Sequence, residues 1–169
     1  WWQPLSADGI ERRKQAVQAS RKASADINVP APAGLSYRPY QLAGIAYCAD
    51  AFERIGGALL ADEMGLGKTV QAIGLINLDP SIRNVLVVCP SGLKWNWKAE
   101  LERWLVRPMS IGIINAGDDI VEPADVVIIN YDILHKYHAI LRDHEWDMLI
   151  CDEAHYLKEH KARRTQQVL

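Results

Sequence analysis

Two clusters in this chain have residue types and spacing that could do chemistry. The first is Asp62-Glu63-Met64-Gly65-Leu66-Gly67-Lys68-Thr69, and the second is Asp152-Glu153. In the first, Gly65 and Gly67 allow backbone conformations that a side chain would forbid. The loop amides and the N-terminus of a following helix can then face phosphate oxygens. Lys68 can reach β- and γ-phosphates, and the Thr69 hydroxyl can ligate Mg²⁺. The generic pattern G-x-x-x-x-G-K-[ST] is not met in full, because Asp62 stands at its first glycine. Alone, the loop also reads as a Gly-rich turn before an ordinary amphipathic helix.

Asp152 and Glu153 end an apolar run, Met148-Leu149-Ile150-Cys151. Asp152 could hold Mg²⁺ directly or through water, and Glu153 could polarise a water for attack on a phosphoryl group. The plainer reading is that the two carboxylates merely cap the helix that follows. Both clusters fall at the carboxyl ends of predicted strands, where α/β sheets bind ligands. The pair is far more specific than either part.

The elements that must position these residues follow from hydrophobic patterning. Leu42, Ile45, Ala46, Ala49 and Phe52 recur at helical spacing until Gly56-Gly57. Ala58 to Ala61 reads as a buried strand leading into the loop, with a helix from Val70 to about Asn77. Val85 to Cys89 is a continuous apolar run, as expected of a strand covered on both faces. Leu93, Trp97, Leu101, Trp104 and Leu105 mark one face of a helix. Ile111–Ile114 and Val126–Ile129 are further short strands, Tyr131–Leu141 is helical, and Met148–Cys151 is a last strand. Strands alternating with helices predict an α/β fold with a largely parallel sheet.

Composition narrows the function classes. The 169 residues are one domain's worth, 49% are apolar, and the formal net charge is −2. There is no bulk positive field, so nucleic acid would have to be met by local patches. No apolar run has the length of a membrane span, and Trp1 opens no signal-peptide pattern, which predicts an intracellular protein without membrane contact. The absence of an initiator Met suggests a segment of a longer chain. Cys48, Cys89 and Cys151 lack C-x-x-C spacing and read as buried thiols, and the histidines show no ligand spacing, so no structural metal site is expected.

Residues 1–34 read as an appendage. It has a polar helical pattern with Asp8 and Glu11 placed like a capping box, basic Arg12, Arg13, Lys14, Arg21 and Lys22, and the stiff linker Pro30-Ala31-Pro32-Ala33-Gly34. The charge run could meet DNA phosphates or be a solvated helix face. Residues 35–169 form the main lobe.

The two clusters together resemble the Swi/Snf-like ATPases of helicase superfamily two, in which Asp at the first-glycine position is the usual form. Further blocks agree in order. Tyr37-Arg38-Pro39-Tyr40-Gln41 looks like the Q motif, whose glutamine, here Gln41, reads the adenine edge. Val87-Val88-Cys89-Pro90-Ser91 with Trp95, Trp97 and Glu100 looks like motif Ia, which lies along a DNA strand. Ile128-Ile129-Asn130-Tyr131-Asp132 is similar to motif Ib, where many members carry Thr in place of Asn130. Asp152-Glu153-Ala154-His155-Tyr156-Leu157-Lys158 matches motif II, with His155 as the link between ATP site and DNA-contacting elements.

The resemblance covers about residues 35–160. It implies a RecA-like P-loop domain, its mostly parallel sheet flanked by helices and incomplete at the C-terminal end, before motif III and a second RecA-like lobe. It implies ATP and Mg²⁺ as cofactors, and translocation on double-stranded DNA rather than strand separation. Arg38, Gln41 and residues 62–69 would bind ATP, Thr69 and Asp152 the metal, and Lys68, Asp152 and Glu153 would carry catalysis. Pro90, Ser91, Lys94, Trp97, Asn130 and Tyr131 would hold DNA.

The family's arginine finger lies on the second lobe, so this piece alone is expected to bind nucleotide weakly and hydrolyse little. Plainer readings stand beside these roles. Gln41 could be a surface residue, and Tyr131 core or DNA contact. Lys94, Lys98 and Arg103 could be solvated, and at least one of Trp95 and Trp97 should be core, since they face different sides of their helix. Two other functions remain open: a different superfamily-two motor, such as a helicase or restriction subunit, or a non-catalytic module that grips DNA or a partner.

Overall fold

Val85-Leu86-Val87-Val88-Cys89 forms β1 (Val85–Cys89), buried at all five residues. It lies inside a four-stranded sheet with β2 (Ile111–Ile113), β3 (Val126–Asn130) and β4 (Met148–Cys151), in the order β2-β3-β1-β4. Every pairing is parallel. An unbroken apolar run is what an inner parallel strand needs, because helices cover both of its faces. β3 is likewise buried throughout, whereas the edge strand β4 exposes Leu149. The computed structural model describes residues 25–61, 65–118 and 123–157. The expected helix and basic run of the appendage, and Asp62, Glu63 and Met64, lie outside the described residues.

The chain divides into two compact units, Trp1–Leu78 and Asp79–Leu169. In the second, α3 (Lys94–Trp104) connects β1 to β2 and α4 (Leu134–Arg142) connects β3 to β4. These crossovers run in opposite directions across the sheet, so with the usual right-handed sense the two helices lie on opposite faces. Leu134, Tyr137 and Leu141 of α4 pack with Leu86, Val88, Val127 and Ile129, the alternate residues of β1 and β3. Helix α3 turns Lys94, Trp97, Leu101 and Trp104 inward, at spacings of three and four.

At the amino ends of the strands, single aspartates fasten neighbouring segments. Asp147 accepts from the main-chain N–H groups of Arg83 and Asn84 at 2.7 and 2.8 Å. Asp125 accepts from the main-chain N–H and the hydroxyl of Ser110 at 2.6 and 2.7 Å. The opposite, carboxyl ends are aligned by register. Cys89 faces Asn130, and Val88 faces Cys151, so Pro90, Tyr131 and Asp152 leave the sheet at one edge.

The first unit holds α1 (Pro39–Ile55) and α2 (Lys68–Leu78). Pro39 suits the first turn of α1, where its missing N–H would have no partner anyway. Gly56 ends the helix in a left-handed conformation, φ 74°. The buried face is Gln41, Ile45, Cys48 and Ala51, so the expected stripe is rotated and Phe52 is exposed. The reason lies in α2. A Cβ on Gly74 would collide with Ile45, and one on Gly44 with Gln71, so glycine lets the two helices approach along this face. Ile45, Ile73 and Ile76 are fully buried there, each contributing about 1.5–3 kcal/mol relative to exposure.

One expected element is absent. Residues 58–61 take no regular secondary structure, and Leu59 is 67% exposed. Apolar character alone does not make a strand, because main-chain groups need ladder partners. Among the described residues none is paired with this run. No helix in the described residues is long and apolar enough to cross a membrane.

Candidate functional site

The acidic pair leaves β4 in a tight turn, with Glu153 at φ 51°. That left-handed value is strained for a residue with a Cβ, and such strain collects at functional sites. Asp152 is held on every side. Its N–H donates to the carbonyl of Val88 at 2.9 Å, and its carbonyl accepts from the Tyr131 hydroxyl at 2.8 Å. Its Oδ2 accepts from the Trp97 indole N–H at 2.8 Å, and its Oδ1 from the Glu153 N–H at 2.9 Å. Among the described residues each oxygen takes one N–H, which leaves further lone pairs on each. Glu153 Oε2 lies 3.0 Å from His155 Nδ1, both side chains being partly exposed. The Asp152 carboxylate is therefore held in a set orientation by its neighbours.

The described residues of the expected phosphate loop, Gly65 to Thr69, belong to the first unit. Gly65 and Gly67 have φ 84° and 74°, the conformations expected of this loop. Lys68 opens α2, and the Gly67 carbonyl accepts from Gln71 N–H at 3.0 Å, which starts the helix. Gln41 ties the Q-motif segment to this loop. Its Oε1 accepts from Arg38 N–H at 2.9 Å, closing the N-terminus of α1, while Nε2 donates to the Leu66 carbonyl at 3.5 Å. A Cβ on Gly67 would lie 2.5 Å from Gln41 Nε2. Gln41 is thus not a surface residue; it is 8% exposed.

The expected DNA-contacting residues divide sharply. Pro90 is half-buried and Ser91 exposed, at the carboxyl end of β1. Lys94, Trp97, Asn130 and Tyr131 are all buried. Lys94 overturns its reading as a solvated side chain, since Nζ donates to the Ile114 carbonyl at 3.0 Å and Asn115 Oδ1 at 2.9 Å. A buried ammonium needs such acceptors, and the first turn of α3 places it over the end of β2. Trp97 is the core member of the tryptophan pair and Trp95, 65% exposed, the outward one. Asn130 Nδ2 donates to Asp132 Oδ2 at 3.3 Å.

Cys89 and Cys151 are free thiols, and Cys48 is buried. Burial, then the Asp152 charge, pushes the Cys89 thiol up to about 12. Burial also raises Cys151 to about 11, so neither is a thiolate at neutral pH.

Residues 40–169 match the SNF2-related domain. The chain belongs to that family. This SNF2-related chain is 36% identical over 152 residues to the SWI/SNF-related matrix-associated actin-dependent regulator of chromatin subfamily A-like protein 1 homolog of Caenorhabditis elegans. It is 34% identical over 139 residues to the DNA annealing helicase and endonuclease ZRANB3 of Bos taurus. Those matches take in 86% and 78% of the chain but only 22% and 13% of the two relatives.

Among solved structures, the Sulfolobus solfataricus SWI2/SNF2 ATPase core in complex with double-stranded DNA matches with a TM-score of 0.71 at 25% identity. That match covers 83% of this chain and 31% of the other. The SNF2-related domain therefore has the expected RecA-like α/β fold. Sequence reasoning missed that Trp97 and Tyr131 both hold Asp152. The available signal was Trp97's place on the apolar face of α3.

Proposed function

We propose that this SNF2-related lobe binds ATP and Mg²⁺ as the N-terminal half of a DNA-stimulated motor that translocates on double-stranded DNA. The observation that carries the reading is the fixed carboxylate of Asp152, with Glu153 beside it, at the carboxyl end of a parallel sheet. That is where α/β folds bind ligands. Magnesium takes one or two protein oxygens and completes its shell with phosphate and water. An oriented Asp152 with lone pairs to spare fits that need, as does the hydroxyl of Thr69. When bound, the metal would neutralise charge on the β- and γ-phosphates.

The chain's own residues supply the rest. Lys68 and the first amides of α2 counter phosphate charge, with Gly65 and Gly67 letting the backbone approach and Asp62, Glu63, Met64 and Leu66 completing the loop. Gln41 keeps one further donor and one further acceptor position for an adenine edge, with Arg38 at its side. Glu153 accepts a proton from, and orients, the attacking water, while His155 steadies its carboxylate. Pro90 and Ser91 present the carboxyl end of β1 to a DNA strand, with exposed Trp95 on the first turn of α3. Charge on the far side of the γ-phosphate comes from a second RecA-like lobe. The relatives named for chromatin regulation and for DNA annealing, and the neighbour solved on double-stranded DNA, support this assignment.

The test is ATP turnover with and without duplex DNA, in the full-length protein and its Glu153→Gln variant. Expected is DNA-stimulated turnover, lost in the variant while ATP still binds. An intact protein that binds ATP but never turns it over would instead be a binding module.

A further inference from the structure

Trp97 lies directly behind the carboxylate assigned to magnesium. The residue is 3% exposed. It belongs to the same inward face of α3 as the fully buried Leu101. An indole nitrogen can only donate, so in their 2.8 Å contact Oδ2 is the acceptor. The main chain of Asp152 is already fixed through Val88 and Tyr131. Rotation of the carboxylate is the freedom that remains. The Glu153 N–H on Oδ1 and the indole N–H on Oδ2 remove it from both sides.

We infer that Trp97 is a positioning residue for magnesium. It holds the Asp152 carboxylate in one orientation, so that the unused lone pairs face the metal. This rests on the reading of Asp152 as the magnesium carboxylate. It moves Trp97 from the DNA-facing role implied by its motif to the nucleotide half of the machine. It also gives α3, whose preceding turn carries Ser91, a direct connection to the metal site. Groups behind a metal ligand commonly change metal affinity by 10–100-fold when removed. A merely structural tryptophan would change melting temperature without touching the magnesium requirement.

The experiment uses the full-length protein and follows binding of a fluorescent ADP analogue by polarisation, without turnover. Magnesium is titrated from an EDTA baseline in the unsubstituted protein, Trp97→Phe and Trp104→Phe. Phe at 97 keeps a buried ring and removes the N–H. Its magnesium midpoint should rise about tenfold, with metal-free ADP binding unchanged. Trp104→Phe, a packing change on the same helix, should leave the midpoint in place.

An unaltered midpoint in Trp97→Phe overturns the inference, as does an equal loss of metal-free binding. Absence of any magnesium dependence in the unsubstituted protein overturns the assignment of Asp152, and the role of Trp97 with it. Should Trp97→Phe fail to fold, ¹⁵N-labelled tryptophan in the unsubstituted protein gives the reading. The indole resonance that moves in Asp152→Asn should shift with Mg²⁺ and ADP but not with ADP in EDTA. An identical shift under both conditions overturns the inference.

Discussion

The hydroxyl of Tyr131 donates to the main-chain carbonyl of Asp152 across 2.8 Å, joining the residue that follows β3 to the residue that follows β4. The two strands are not neighbours, because β1 lies between them. The bond therefore bridges the carboxyl edge of the sheet and fixes the acidic turn at a second main-chain atom, beside the Asp152 N–H held by Val88. Burial, followed by the neighbouring Cys151 and Asp152, pushes the Tyr131 phenol above the ordinary tyrosine range. The donor proton is retained throughout the working pH range.

Tyr131→Phe keeps the ring in its pocket and withdraws this donor. The expected cost is about 1–3 kcal/mol, the usual penalty for a partly buried carbonyl losing its partner. Urea unfolding of the variant measures it. A midpoint equal to that of the unsubstituted protein would show that water replaces the hydroxyl freely.

Lys94→Met should lower stability by about 1–3 kcal/mol, since the carbonyl of Ile114 loses a buried donor. It should leave the salt dependence of DNA binding as it was. Each lysine that neutralises a phosphate contributes about one unit to the slope of log affinity against log salt. An ammonium turned inward contributes none. Loss of about one unit in Lys94→Met, measured by DNA-binding titrations at several salt concentrations, would place this side chain on the DNA after all.

Stability should fall in acid through the aspartates at the amino ends of the strands. The Ser110 hydroxyl, then its N–H, holds Asp125 below the ordinary aspartate value. The N–H groups of Asn84 and then Arg83 do the same for Asp147. A carboxylate with a depressed folded-state pKa adds stability above its unfolded value, about 3.9. That contribution is lost as pH falls through the lower folded value. Urea midpoints should hold above about pH 5 and drop below about pH 4. Asp147→Asn should show a shallower drop, and an equally steep one would remove Asp147 from this account.

Much of this protein was legible in the chain. Val85–Cys89 and Val126–Ile129 are apolar at consecutive positions because inner parallel strands are covered on both faces, and each is a strand, as is the apolar run Met148–Cys151 at the sheet edge. The conformations of Gly65 and Gly67 follow from residue type, because left-handed φ values favour glycine. The acidic pair at the end of β4 was equally plain, since a strand's carboxyl end is fixed by where its apolar run stops.

Tertiary structure decided what local pattern could not. Ala58–Ala61 carries the apolarity of a strand, but strand formation depends on partners elsewhere in the chain, and this run has none among the described residues. Gly44 and Gly74 set which face of α1 is buried, so Phe52 points outward although its spacing fits the stripe. Lys94 is a surface residue by type. It became an interior one because the carbonyl of Ile114 and the amide of Asn115 meet it from another segment. Trp97 and Tyr131 reach Asp152 from sequence separations of 55 and 21 residues. Periodicity reports which side of an element is apolar. Which polar atom waits there is set by how distant segments pack.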